Sequence, residues 1–327
     1  MQIGQFSAAL HAALQVRERL VSSDALDVYR VMDGAGDGVP GIYLDRLGPA
    51  AILSIYEDAR LSDPATTDVA DVCLDRLRDV GVNAVYVKLF ARDRSRLGGM
   101  APEEARSATP RAGTPQPETL CVHEYASRFE IRPYDGFSTG LFLEHREHRR
   151  SLAEMRPQRA LNLFAYTCAF AVPLVAAGAV VVNVDVSARY LEWGRRNLAL
   201  NGAPVDAARF VRMDAREYLT VAARRGEPFD LIIIDPPTFA AADPRRKRPA
   251  WKAVSDYPEL IRAAARVLMP GGVIFAASNN RELAERDVLK QLVGDARPRT
   301  PKWVQFPPWP DDVRERGRVA AVCVSPR

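Results

Sequence analysis

None of the four cysteines in this 327-residue chain forms a CxxC pair; Cys73, Cys121, Cys168 and Cys323 stand far apart. That spacing argues against a metal site or a disulfide framework and points to a reducing compartment. No apolar run approaches the roughly 18 residues that a membrane-spanning helix needs. Residues 1–7 lack a basic stretch leading into an apolar core, so no signal peptide is expected and a cytoplasmic location follows. There is no internal repeat. The formal net charge is only +4, which permits an anionic partner without demanding one.

What is present is concentrated in the second half. Asp230-Leu-Ile-Ile-Ile-Asp-Pro-Pro-Thr-Phe239 reads as a buried strand running into an acidic, proline-stiffened turn. The apolar run Leu231–Ile234 suits a central parallel strand covered on both faces. Asp235 follows at its carboxyl end, where open α/β sheets bind ligands. Consecutive prolines fix φ and lack N–H donors, so the turn offers rigid carbonyl acceptors beside the aromatic plane of Phe239. Such a ledge suits a flat nitrogen heterocycle. A loop without chemical meaning is the alternative.

From Ala160 onward, strands alternate regularly with helices. Strands are expected at 160–166, 180–186, 210–213, 231–234 and 273–277, with helices near 170–177, 188–200, 215–225 and 257–268. This pattern predicts an α/β fold built on a parallel, doubly wound, Rossmann-like sheet. A helix over 281–293 and two late strands (303–306 and 319–324) complete a seven-stranded arrangement of methyltransferase type. Before residue 126, short alternating segments at 28–32, 41–45, 50–56 and 84–90 predict a smaller N-terminal α+β domain over 1–125. Residues 92–117 read as a basic loop, and 126–327 as the catalytic domain.

Acids end three successive strands: Asp185, Asp214 and Asp235. Asp185 can accept from both hydroxyls of a ribose, and Asp214 from an adenine amino group. Helix N-capping explains the first two equally and can coexist with ligand binding. The first strand-to-helix turn, residues 162–170, contains no glycine, so no GxGxxG cradle for a pyrophosphate exists. A phosphate-free adenosyl cofactor, S-adenosylmethionine (SAM), fits better.

Seven motifs recur in order: Thr139–Arg146, Leu161–Thr167, Val184–Ser187, Tyr190–Trp193, Asn197–Gly202, Asp235–Phe239 and Ser278–Asn280. Through them the chain resembles bacterial class I methyltransferases of 23S ribosomal RNA. It is most like the guanine-N7 branch, which forms one half of a fused bifunctional enzyme; the cytosine-C5 branch is a near relative. The likeness runs from about Val28 to the end and is dense from Glu124. The resemblance implies that Phe142 and Arg146 wall the cofactor pocket. It further implies that the turn bearing Asn162, Phe164, Tyr166 and Thr167 holds the methionine part, and that Asp185 holds the ribose and Asp214 the adenine. Val186 and Ala215 join these as cofactor residues, while Asp235 and Pro236 face the methyl acceptor. Relatives usually carry glycine where Cys168 stands. The cytosine branch typically begins with a PUA-type RNA-binding domain, which this chain starts too late to contain.

Chemistry separates the branches. Cytosine C5 is not nucleophilic, so its enzyme must add a cysteine thiolate to C6. No cysteine stands in Asp235–Phe239 or in Ala276–Asn280, and Cys168 reads as a packed small residue. Guanine N7 carries a free lone pair and needs alignment and charge stabilisation, which Asp235, Pro236 and Phe239 can supply. Guanine N2 would be served by similar groups. For RNA, Arg245, Arg246, Lys247 and Arg248 lie in sequence just before Trp251 and Lys252, and Arg92, Arg94 and Arg96 form a second cluster. Each could equally be a solvated charge run. Asn279 and Asn280 either read a base edge or end a strand. The expectation is a SAM-dependent methyltransferase of a large-subunit rRNA base, with guanine N7 as acceptor and no metal or membrane partner. The alternatives are cytosine-C5 transfer, or a non-catalytic RNA-binding or ribosome-assembly factor.

Overall fold

A computed structural model describes residues 2–23, 25–59, 61–90, 103–240, 250–284, 287–296, 302–305, 309–315 and 320–325. The chain divides into two compact units. The first comprises Met1–Arg146 with Trp309–Glu315, and the second Glu147–Pro308 with Arg316–Arg327. The composition change near residue 125 thus precedes the division at Arg146. The hairpin of β6 (Leu120–Glu124) and β7 (Ser127–Ile131) is tied to the first unit, because Tyr125 N donates to Ala25 O at 2.8 Å and Asp27 N to His123 O at 3.2 Å. Composition carries no sign of such long-range bonds.

In the first unit, β1 (Val28–Asp33), β2 (Ile42–Leu47), β3 (Ala50–Tyr56), β4 (Ala84–Phe90) and β5 (Ala112–Gly113) form one sheet in that order. Only β3 and β4 run parallel, because the connecting α3 (Asp63–Leu77) crosses over between them. Helix α1 (Ile3–Val16) and α3 bury Phe6, Leu10, Val69 and Leu74 against Val31, Leu44, Leu53 and Val87; the short α2 (Glu18–Val21) follows α1. Charge is buried in this unit. Asp312, fully buried, accepts from Arg146 Nη2 at 2.6 Å and Nη1 at 3.0 Å, and from Arg30 N at 2.8 Å. Burial alone would lower the Arg146 pKa, but the Asp312 carboxylate reverses this and raises it above its ordinary value.

The second unit carries the predicted sheet. Its order is β10 (Ala208–Arg212), β9 (Val180–Asp185), β8 (Arg159–Leu163), β11 (Phe229–Ile234), β14 (Leu268–Ser278), β16 (Ala320–Ser325) and β15 (Lys302–Trp303). The first five are mutually parallel; β16 runs antiparallel to β14, and β15 antiparallel to β16. Strand order reverses between β8 and β11, the switch point at which such sheets open a crevice for ligands. Leu161, Val184, Ile232, Ile234 and Ile274 face α7 (Ala215–Arg225), α8 (Ala253–Ala265) and α10 (Val288–Asp295) in one apolar cluster. Buried residues of α5 (Ala171–Ala176) and α6 (Ala188–Leu200) lie outside it; α4 (Arg146–Glu154) and α9 (Arg281–Ala284) complete the helices described. A helix was expected from residue 257 to 268. It runs from Ala253 to Ala265 instead, because the short strands β12 (Phe239–Ala240) and β13 (Trp251–Lys252) pair and deliver the chain earlier, and Leu268 opens β14.

Lys88 in β4 is 1% exposed and donates to Gly136 O at 2.5 Å and to Phe137 O at 3.4 Å. Burial lowers its pKa to about 7 against the opposing pull of Asp135 and Asp45. An unfolded lysine keeps its proton to about pH 10.4, so between these values the unfolded chain binds more protons and stability rises with pH. The expected slope is up to about 1.4 kcal/mol per pH unit. Denaturant titration of the protein and of Lys88→Met at pH 7, 8.5 and 10 checks it: the variant should lack that component, and parallel pH profiles would refute it.

Candidate active site

Parallel pairing brings the carboxyl ends of β8, β9, β10, β11 and β14 to one edge. Leu163 is level with Val184, Arg212 with Asp185, and Ile234 with both Leu163 and Ala276. The turn after β8 is unusual for a stretch without glycine. Phe164, Tyr166 and Cys168 all adopt left-handed backbone, with φ of 56°, 48° and 57°. Non-glycine residues take this conformation only when the surroundings fix it, and such strain gathers at functional sites.

Four hydrogen bonds supply the constraint. Ala165 N donates to Val184 O at 3.0 Å, and Tyr166 N to Asp185 Oδ2 at 2.9 Å. Cys168 N donates to Ala165 O at 2.7 Å, and Asn197 Nδ2 of α6 to Thr167 O at 2.9 Å. The Asp185 carboxylate also accepts from Ser187 N through Oδ1 at 2.8 Å. The neighbouring aromatics pack edge to face, with Tyr166 and Tyr190 ring centres 4.5 Å apart.

Cys168 is fully buried. Burial, reinforced by the Asp185 carboxylate, pushes its thiol well above the ordinary value although Arg195 acts in the other direction. It is therefore a neutral packing group near neutral pH and no thiolate nucleophile. Its side chain fills the space beside Gly194 of α6: a Cβ built there would meet Cys168 Sγ and lie 2.8 Å from Cys168 Cβ.

The other expected cofactor residues fall into distinct settings. Asp214 caps α7 and its Oδ1 accepts from Arg216 N at 2.9 Å and Nε at 3.1 Å; Oδ2 accepts from Arg216 at 3.2 Å and retains a lone pair. Capping and acceptor capacity thus coexist. Ala215 is buried and begins α7, while the Val186 carbonyl accepts from Arg212 Nε at 3.3 Å. Asn162 lies inside the sheet, and its amide donates to Asn183 Oδ1 on the adjacent strand at 2.9 Å. Phe164 packs 5.6 Å from the Trp251 ring. Phe142, 38% exposed, and Arg146, paired to Asp312, belong to the first unit.

On the same edge, Asp235 follows β11, Pro236 is buried and Phe239 is 60% exposed. Three residues hold this turn: Tyr257, which sequence reasoning passes over, Trp251, which it sets beside the basic RNA cluster, and Thr238, which it has only as part of the turn motif. The Tyr257 hydroxyl lies 2.7 Å from Ala277 O and 3.1 Å from Ile234 O, linking the ends of β14 and β11. Burial, with a smaller push from Asp235, keeps its phenol protonated as a donor. Trp251 Nε1 donates to Pro237 O at 2.8 Å, and Thr238 Oγ1 to Asn279 Oδ1 at 2.8 Å. Tyr257 and Trp251 are aromatics with polar tips, which when buried usually find a partner, but nothing in the sequence names that partner. Asn280 accepts from Leu283 N at 3.1 Å and caps α9. Arg92, Arg94, Arg96, Arg245, Arg246, Lys247 and Arg248 lie outside the described residues.

The strand order, the acid ending β9 and a first turn without a phosphate cradle define a Rossmann-like methyltransferase. Comparison with known proteins agrees: residues 104–307 match the S-adenosylmethionine-dependent methyltransferase family, and the chain belongs to it. Its cofactor is SAM. A relative from Salmonella newport (strain SL254), the ribosomal RNA large subunit methyltransferase I, is 31% identical over 314 residues, covering 94% of this chain and 73% of that protein. SMU.776 complexed with SAH superposes with a TM-score of 0.83 at 22% identity, over 99% of this chain and 82% of that one. A SAM-dependent methyltransferase from Streptococcus mutans gives 0.81 at 21%, over 99% and 81%. At these identities the structures establish a shared fold. Among the described residues no cluster of histidine, cysteine or acidic side chains is arranged to hold a metal, and no helix is long and apolar enough to cross a membrane.

Asp185→Ala removes the acceptor for two backbone donors; if Asp185 also holds the ribose, the SAM dissociation constant, measured by calorimetry, should rise roughly 100-fold, whereas an unchanged value would remove Asp185 from the site. Gly194→Ala forces Cys168 and its turn to shift, costing about 1–3 kcal/mol. Adding Cys168→Gly should recover most of that loss in a denaturation experiment, and strictly additive effects would contradict the contact.

Proposed function

We propose that this chain transfers a methyl group from SAM to a base of large-subunit ribosomal RNA, with guanine N7 as the acceptor. The RNA assignment rests on the Salmonella relative, whose name specifies the large-subunit RNA. The acceptor assignment rests on one observation: the rigid turn Asp235–Phe239 offers an acid, a carbonyl and an exposed ring, with no cysteine beside it. Cys73, Cys168 and Cys323 are buried in α3, in the cofactor turn and in β16, and Cys121 sits in the β6 hairpin. A C5 mechanism has no nucleophile to use at this edge.

SAM supplies an electrophilic sulfonium methyl when bound. Asp185, Asp214 and the constrained turn at 164–168 would hold it, with Val186 and Ala215 as further cofactor residues. Phe239 stacks on the purine and fixes its plane, which aligns the N7 lone pair. The Asp235 carboxylate and the Pro236 carbonyl stabilise the positive charge that methylation leaves on the ring. No base is required, because N7 carries no proton. Arg92, Arg94 and Arg245–Arg248 contact phosphates, giving binding that weakens with salt. The first unit is the RNA-contacting part of the chain and the second the catalytic one.

Labelled SAM incubated with unmodified large-subunit RNA, followed by nucleoside identification by mass, tests the reading. The expected product is 7-methylguanosine. 5-Methylcytidine would replace it with the C5 mechanism and 2-methylguanosine with transfer to the exocyclic amine. RNA binding without SAM binding or transfer would favour an assembly factor.

A further inference from the structure

The two strands that end beside the acceptor turn are joined by a pair of exposed polar side chains. Thr238, four residues past the end of β11 at Ile234, donates its hydroxyl to Asn279 Oδ1 at 2.8 Å; Asn279 is the first residue beyond β14. The backbone beneath both is fixed. Tyr257, fully buried, links Ile234 O and Ala277 O, and Trp251 holds Pro237 O. Ser278 is fully buried, and its Oγ accepts from Asn280 N at 3.2 Å.

The adjacent asparagines therefore differ. Asn280 uses its side-chain oxygen to cap Leu283 N, a structural task. Asn279 is exposed and has its oxygen engaged by the hydroxyl of Thr238, the residue before Phe239, so the end of the amide away from that bond is its NH2 group, which carries two donors.

We infer that Asn279, oriented by Thr238, is the residue that selects the base, donating from its amide to O6 of the guanine. This deepens the N7 reading and rests on it. The edge of guanine that carries N7 also carries O6, both acceptors; adenine has N7 and an amino donor there, and cytosine presents an amino donor. A site that methylates N7 cannot also read N7 through a hydrogen bond, since that lone pair forms the new bond to carbon. O6 is then the one feature on that edge that separates guanine from adenine. An NH2 donor matches it and meets adenine or cytosine with donor against donor. Thr238 is a positioning residue: its hydroxyl donates to the amide oxygen and so holds the amide with its NH2 group at the other end.

The experiment measures kcat/KM on unmodified large-subunit RNA, the product nucleoside, SAM affinity and melting temperature for the native chain and three variants. Asn279→Asp keeps the shape and the bond from Thr238 but replaces the donor with an acceptor. Its kcat/KM should fall about 100-fold, with SAM affinity within about two-fold of native. Thr238→Val should lose about 5-fold, and Thr238→Ser should recover that loss because the hydroxyl is restored. RNA transcribed with inosine, which keeps N7 and O6, should still be methylated by the native chain and discriminated against by Asn279→Asp as guanine is. If the native product is 7-methylguanosine and Asn279→Asp matches the native rate, the inference fails while the function stands. A loss of SAM affinity or melting temperature that accounts for the lost turnover would equally overturn it in favour of a structural role. A native product other than 7-methylguanosine would overturn the proposed function itself.

Discussion

The Asp185 carboxylate, accepting from Tyr166 N on one oxygen and Ser187 N on the other, is the constraint on which the cofactor side of this protein depends. It ties the turn after β8 to the turn after β9, and so sets the spacing of two chain reversals that no glycine relaxes. Three left-handed residues in five would each prefer another conformation. They are held by one charge-assisted bond, from Tyr166 N to Asp185, together with neutral bonds at Ala165, Thr167 and Cys168. In the proposed reading the same carboxylate also holds the ribose, so one side chain would serve as both brace and ligand.

The acceptor side is built on a different principle. Paired prolines stiffen the turn after β11, and a buried phenol and an indole N–H hold it to its neighbours. Tyr257 joins the ends of β11 and β14, and Thr238 and Asn279 continue that link on the surface. Little chemistry is asked of these groups. For the proposed acceptor, a ring nitrogen with a lone pair, the need is a fixed plane and a compensating charge, and rigidity supplies the first.

In the first unit, order comes from buried charge. Asp312 stands far along the chain from Arg30 and Arg146, yet it joins both. Buried ions persist only when paired and hydrogen-bonded, so residues 309–315 are held here by electrostatics as much as by apolar contact. Lys88 extends the same economy, spending its donors on the carbonyls of Gly136 and Phe137.

The sequence by itself determined the parallel sheet, because buried strands are mostly apolar and their acids fall at the ends. Leu231–Ile234 and the positions of Asp185, Asp214 and Asp235 carry that information locally. The absent glycine in residues 162–170 excluded a phosphate cradle for the same local reason. Tertiary structure decided the uses of individual polar groups. Asn162, expected at the cofactor, spends its amide on Asn183; Cys168, where relatives usually carry glycine, is matched by Gly194 on another helix. Asn279 and Asn280 are identical neighbours in sequence, yet one caps a helix and the other faces the acceptor edge with Thr238. Backbone pattern is a local property, while a hydrogen-bond partner is whichever group folding brings within 3 Å, and that is settled only when distant strands meet.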